Sequence, residues 1–268
     1  MKKALNIILN GVIVVFFAIL TQVGALTYLL STLVSKLFKI KSFSYKVLLN
    51  IALYALFTFA LVPIIAPIFG RVAITNTAVL KPWNYWVTVG LNRNYVVPEL
   101  EQVLQKLSKD MMPQSPSVIL YYLDAGFPFF DKYPLLPHLS HHDGKKVDLS
   151  YLYQDEKGNF TNLKPSISGY GVFESSNENE YNTAKFCKDN GYFQYDYPKF
   201  LTLGRTDSKL TFSNLWNKKL MHSILANDAV IKVFIEPHLV KRLGLIDNRI
   251  RFHGCGAVRH DDHIHIQI

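Results

Sequence analysis

The sequence predicts an α+β protein: a domain built on an antiparallel sheet, preceded by an N-terminal two-helix transmembrane hairpin. Three observations carry this. Residues 1–70 hold two long apolar runs and no Asp or Glu. After residue 71 the chain turns to about two hundred residues of mixed polar and apolar sequence, the size of one domain. Within that stretch, segments of alternating apolar residues, which mark strands, are interspersed with segments of helical period. The chain therefore divides into an anchor, residues 1–71, and a domain, residues 72–268.

The first apolar run covers residues 5–34 and the second residues 47–70, and neither carries a charge. A helix needs roughly 20 apolar residues to cross a bilayer core, so each run is long enough. Polar interruptions at Asn6, Asn10, Thr21, Gln22, Thr27 and Ser31 suit a helix that packs on its neighbour. A cleaved signal peptide has a shorter apolar core ending at a small-residue cleavage site, and a second run would not follow it. A hairpin buried in a soluble fold is the other competing reading, and charge-free runs of this length are rare there. Between the runs, Lys36, Lys39, Lys41 and Lys46 sit in one short loop. The excess of lysine places that loop in the cytoplasm, with both termini and the remaining domain outside, though Lys2, Lys3 and Arg71 fall on the opposite side of the count.

Elements of the domain follow in order. Residues 97–107 have apolar residues at helical spacing, with Pro98 in the first turn and acids at the start. Residues 118–123 form a short apolar run ending in the turn-rich Asp124-Ala125-Gly126-Phe127-Pro128, which predicts a buried strand. Residues 147–153 alternate and predict another. Residues 154–200, rich in Asn, Gly, Ser and Tyr, show no period and predict a long irregular region shaping a groove. A helix over 215–226, a strand over 229–235, a short helix over 237–245 and strands over 249–252 and 263–268 complete the set.

Charge narrows the function classes. The chain has 29 basic and 20 acidic residues, a net charge of +9, yet only 18% of its residues are charged. Six of the basic residues lie in the acid-free first 70, which leaves the domain at 23 basic to 20 acidic. That near balance removes the basic face that a nucleic-acid partner requires, and the lysine loop reads as topogenic. Aromatic residues such as Trp83, Trp86, Tyr121 and Phe127 are read as core or membrane-proximal packing.

Six of the nine histidines fall in two windows. The first runs Pro137-His138-Leu139-Ser140-His141-His142-Asp143-Gly144-Lys145-Lys146-Val147-Asp148, and the second Val258-Arg259-His260-Asp261-Asp262-His263-Ile264-His265-Ile266. Imidazole and carboxylate are the ligand types of a hydrolytic zinc site, where three protein ligands leave one position to water. Side chains alternate along a strand, so His263 and His265 share one face while Ile264 and Ile266 enter the core. A turn at Gly144 returns His141 towards Asp148. His141, Asp148 and one of the two C-terminal histidines then make a three-ligand site. His138, His142, His222, His238 and His253 are read as ordinary structural histidines.

With these residues stated, His141, six residues, Asp148 and then His263-Ile264-His265 resemble the zinc signature of the LAS metallopeptidases, the group of lysostaphin-type enzymes, D-Ala-D-Ala peptidases and the hedgehog domain. The windows Ser140 to Asp148 and His260 to His265 are most similar to the paired motifs of penicillin-insensitive murein endopeptidases. The resemblance implies a zinc peptidase domain in which His141, Asp148 and His265 bind zinc. It implies further that His260 and His263 are the catalytic or supporting histidines, either of them the general base. The hairpin has no counterpart in the soluble endopeptidases. Asp261 and Asp262 would orient the rings, and Arg259 would neutralise an oxyanion or anchor a substrate carboxylate. Implied with this are peptidoglycan peptides as substrate, the lipid bilayer as anchor, and a bacterial cytoplasmic membrane with the domain facing the periplasm. A zinc peptidase or amidase acting on another periplasmic peptide, and a non-catalytic binding or sensor domain that keeps the metal, are the alternatives. Cys187 and Cys255 are either joined in a disulfide, as suits a domain outside the cytoplasm, or two free buried thiols.

Overall fold

The first apolar run does not form one helix. In the computed structural model, which describes residues 2–113 and 117–268, helix α1 (Lys2–Leu20) ends at Leu20 and helix α2 (Gly24–Leu37) begins four residues later. Polar groups at the break are drawn out of helical register. Gln22 Oε1 accepts from the Phe129 backbone at 2.9 Å, its Nε2 donates to the Phe130 carbonyl at 3.3 Å, and Thr21 Oγ1 accepts from Asn92 at 3.4 Å. Gly24 allows the close return, because a Cβ there would stand 2.9 Å from the Phe17 carbonyl oxygen. The single span expected over residues 5–34 is thus two helices. Of the other polar interruptions, Asn10 and Ser31 pair helix to helix, with Tyr28 Oη donating to Asn10 Oδ1 at 2.6 Å and Ser31 Oγ to Asn50 Oδ1 at 3.4 Å, whereas Thr27 Oγ1 donates to the Gly24 carbonyl of its own helix at 3.0 Å.

Helix α3 (Phe43–Phe69) is the one helix among the described residues long and apolar enough to cross a membrane, with mean hydropathy 2.3. A π-helical turn, Phe57–Leu61, interrupts it just before Pro63, which has no N–H for the preceding turn. Its segment Phe43–Leu56 buries none of its residues against protein, and Ile64 and Ile68 are likewise exposed.

The chain divides into two compact units that interleave in sequence. The helices share one unit with residues Tyr85–Pro98 and Ala125–Gly144. There the short strand Val72–Ala73 pairs antiparallel with Tyr95–Val96, and Val23, Val62, Ala66 and Tyr95 form an apolar core. Tyr54 Oη donates to the Gly90 carbonyl at 2.8 Å, and the Phe69 ring meets Phe129 at 5.0 Å. Gly144 closes this unit in the left-handed region, φ +69°, where a Cβ would also collide with the Arg71 side chain.

The second unit is built on a six-stranded sheet. Its strands are β1 (Leu80–Pro82), β2 (Leu120–Tyr122), β3 (Lys146–Ser150), β4 (Lys232–Phe234), β5 (Ile250–Arg251) and β6 (His263–Gln267), in the order β5-β4-β6-β3-β2-β1. The sheet is mixed, not antiparallel throughout: its centre is antiparallel, whereas β1–β2 and β4–β5 are parallel. The connections explain this. A parallel return needs a crossover of a dozen or more residues, usually a helix, and helix α4 (Pro98–Met111) lies between β1 and β2. A second short helix, Pro237–Leu243, lies between β4 and β5. At the centre, β3 and β6 pair with His265 opposite Asp148 and His263 opposite Ser150. Val147, Leu149, Ile264 and Ile266 are buried in the core.

Two further differences from the sequence expectation lie near the sheet. The strand expected over 147–153 stops at Ser150, and Tyr153–Gln154 joins a separate antiparallel sheet with Phe160–Thr161 and Thr211–Phe212. The region 154–200 also contains the helix Thr183–Asp189 and the 3-10 segment Phe193–Thr202. Cys187 of that helix is joined to Cys255 by a disulfide, with the Cα atoms 5.3 Å apart.

Candidate metal centre

The register of β3 and β6 sets the centre of the site. Asp148 and His265 face each other across the pair, so Asp148 Oδ1 lies 2.9 Å from His265 Nδ1. His263, two residues along the same strand and therefore on the same face, brings Nε2 to 3.8 Å from Asp148 Oδ2. Tyr170 Oη donates to that oxygen at 2.8 Å, and its ring stands edge-on to His263 with centroids 5.0 Å apart. Asp148 is fully buried, as are Asp261 and Asp262.

His141 is buried as well, and its Nδ1 lies 2.8 Å from the Ala125 carbonyl oxygen. A carbonyl only accepts, so Nδ1 carries the proton and Nε2 is left with the lone pair a metal takes. His141, Asp148 and His265 each offer one ligand atom, and these atoms lie within 4.8 Å of one another. An ion bound at about 2 Å holds its ligands roughly 3–4 Å apart, and two imidazoles with one carboxylate are a donor set of that chemistry. The buried group can hold a metal ion.

The remaining residues singled out in the second window form a supporting layer in which each has a definite partner. Asp262 Oδ1 lies 2.5 Å from His263 Nδ1, and Oδ2 accepts from the Gly171 backbone at 2.6 Å, so one carboxylate joins the histidine to a glycine-flanked loop. Asp261 is held by the Arg259 guanidinium, with Nε at 2.7 Å, and lies 3.9 Å from His238 Nε2. Arg259 also bonds Asp196 at 3.1 Å and lies 4.0 Å above the Phe173 ring. Its ion pairs are internal to the fold. The His260 backbone N–H donates to Glu236 at 3.1 Å, an oxygen that also accepts from Tyr195 Oη at 2.6 Å. The His260 ring is stacked on His253 at 5.3 Å and lies 4.9 Å from His263.

The environments push neighbouring groups apart. Burial, reinforced by His263 and His265, drives the His260 imidazole well below its ordinary range. For His263 burial acts downwards, but Asp148 and Asp262 overcome it and hold the ring up at about 9. Burial raises Asp261 to about 7 against the pull of Arg259.

Sequence reasoning did not find Tyr170, His253 or Glu236. Tyr170 sits in Ser168-Gly169-Tyr170-Gly171, where both glycines have positive φ, +81° and +83°. A tyrosine between two such glycines inside an otherwise aperiodic stretch is the available signal, since glycine marks where backbone must approach closely. His253 and Glu236 carry no comparable mark, because their roles arise from tertiary contact alone. Compared with known proteins, the chain matches no family model and no curated protein sequence.

Proposed function

We propose that this chain is a membrane-anchored zinc metallopeptidase that hydrolyses peptide bonds in peptidoglycan, with the bilayer as its anchor and the catalytic domain outside the bacterial cytoplasmic membrane. The observation that carries the reading is the buried His141, Asp148 and His265 group, two nitrogens and one oxygen within 4.8 Å. That set suits zinc, and the resemblance of the two histidine windows to murein endopeptidase motifs supplies the substrate class. When bound, zinc would acidify a water and polarise the scissile carbonyl.

The chain's own residues do the rest. Tyr170 fixes the Asp148 carboxylate, and the Ala125 carbonyl fixes the tautomer of His141. Asp262 holds Nδ1 of His263, and His260 or His263 serves as the general base that takes the proton of the attacking water and returns it to the leaving amine. His260 packs beside it as the second histidine of the reaction centre. Arg259 is a positioning residue, locking Asp261 and Asp196 behind the rings. The disulfide supports a place outside the reducing cytoplasm.

Full-length protein in detergent, incubated with purified peptidoglycan with and without a chelator, tests the reading. New muropeptide fragments that vanish with chelator and return with zinc are expected. Stoichiometric metal with binding but no fragments would overturn it in favour of a non-catalytic binding domain.

A further inference from the structure

We infer that the helical unit holds one anionic diacyl phospholipid, its phosphate against Lys39 and Lys41 and one tail in each of two clefts that meet there. The first cleft, about 1240 Å³, runs between α1, α2 and α3. Its wall is largely apolar, with Ile13, Phe16, Leu20, Val47 and Ile51 along its length. Compact small-molecule sites span roughly 300–1,000 Å³, so this space suits a chain-like ligand. The second cleft, about 680 Å³, runs along Leu48, Leu49 and Ala52 of α3 and shares Lys39, Ile40 and Lys41 with the first.

Charge and hydrogen bonding both point to an anionic head at the shared end. Lys36, Lys39, Lys41 and Lys46 all line the first cleft, while residues 1–70 contain no carboxylate side chain to neutralise them. Ser35 lines the same end; it is 5% exposed, and its Oγ has no hydrogen-bond partner among the described residues. A buried hydroxyl left unbonded is costly, and a phosphate oxygen would relieve that cost. α2 is 14 residues, about 21 Å long, so its groove exceeds one leaflet of a roughly 30 Å hydrocarbon core and can take a full acyl chain. Lysines that only set topology require neither the paired clefts nor the unbonded hydroxyl.

The inference does not depend on the metal site. Full-length protein in micelles of equimolar phosphatidylglycerol and phosphatidylcholine, examined by native mass spectrometry, is expected to retain one phosphatidylglycerol about tenfold over phosphatidylcholine. Two variants should bring retention down to the phosphatidylcholine level while circular dichroism reports unchanged helix: Lys39→Gln with Lys41→Gln at the exposed head site, and Val47→Trp in the first cleft. Soluble glycerol phosphate should not displace the lipid, which separates a tailed ligand from a bare anion. Equal retention of the two lipids by the unmodified protein overturns the inference on its own. So does undiminished retention in the lysine variant, or displacement by glycerol phosphate.

Discussion

Asp148 stands at the crossing of three interactions: Tyr170 Oη at 2.8 Å, His265 Nδ1 at 2.9 Å and His263 Nε2 at 3.8 Å. Each makes a distinct expectation. His141→Ala and His265→Ala should each abolish bound metal and hydrolysis together, measured by elemental analysis beside the muropeptide assay; a variant with full metal content refutes the ligand assignment. Tyr170→Phe keeps the ring and removes only the hydroxyl, so metal affinity should fall about 10–100-fold in a chelator competition while the fold persists. Asp262→Asn leaves the three ligand side chains intact but loosens His263, so kcat should fall about 100-fold with metal content unchanged. A ligand role for Asp262 would instead show as lost metal.

At the scale of elements, local pattern and tertiary context separate cleanly. Helix Pro98–Met111 carries its start signals in Pro98 and Glu99, and strand β6 carries its alternation in His263 to Gln267, so both were legible in the sequence, and with β6 the shared face of two site histidines. The opposition of His265 and Asp148 was not, because register between residues 117 apart is decided by the whole sheet. The parallel edges escaped for the same reason: they follow from crossovers, and no short window encodes where a crossover returns. Within region 154–200, Lys164 is buried, donating to the Tyr151 carbonyl at 2.8 Å beneath the rings of Tyr121 and Tyr153. Burial lowers its pKa to about 7, whereas an unfolded lysine titrates near 10.4. Between those values the unfolded chain binds more protons, so this residue's contribution to stability rises with pH across the window, by up to about 1.4 kcal/mol per unit, and is flat below 7. Denaturant unfolding at pH 7, 8 and 9 should show that slope, and Lys164→Met should flatten it. The Cys187–Cys255 bridge closes a sequence separation of 68 residues, so reducing it should cost about 4 kcal/mol, read as a lower unfolding midpoint with reductant.

For the whole molecule, the break at residues 21–23 would change the parity of the chain if α1 and α2 each crossed a bilayer. One span over residues 5–34 would put the N-terminus across the bilayer from the lysine loop. Two helices that fold back on each other put both on the same side when α1, α2 and α3 are all embedded. Lys2 and Lys3 would then add to Lys36, Lys39, Lys41 and Lys46 instead of opposing them, and every basic residue in the first 70 would favour one orientation. A membrane-impermeant thiol reagent applied from outside intact cells checks this, since cysteines placed at Asn6 and Ser44 should both be protected while one at Asn159, in the exposed turn of the sheet unit, is labelled. Labelling at the Asn6 and Asn159 positions, with Ser44 protected, would restore the single-span topology. On that topology Gln22 and Gly24, two residues apart, would act as a compass for the chain, turning a weak charge asymmetry into a consistent one.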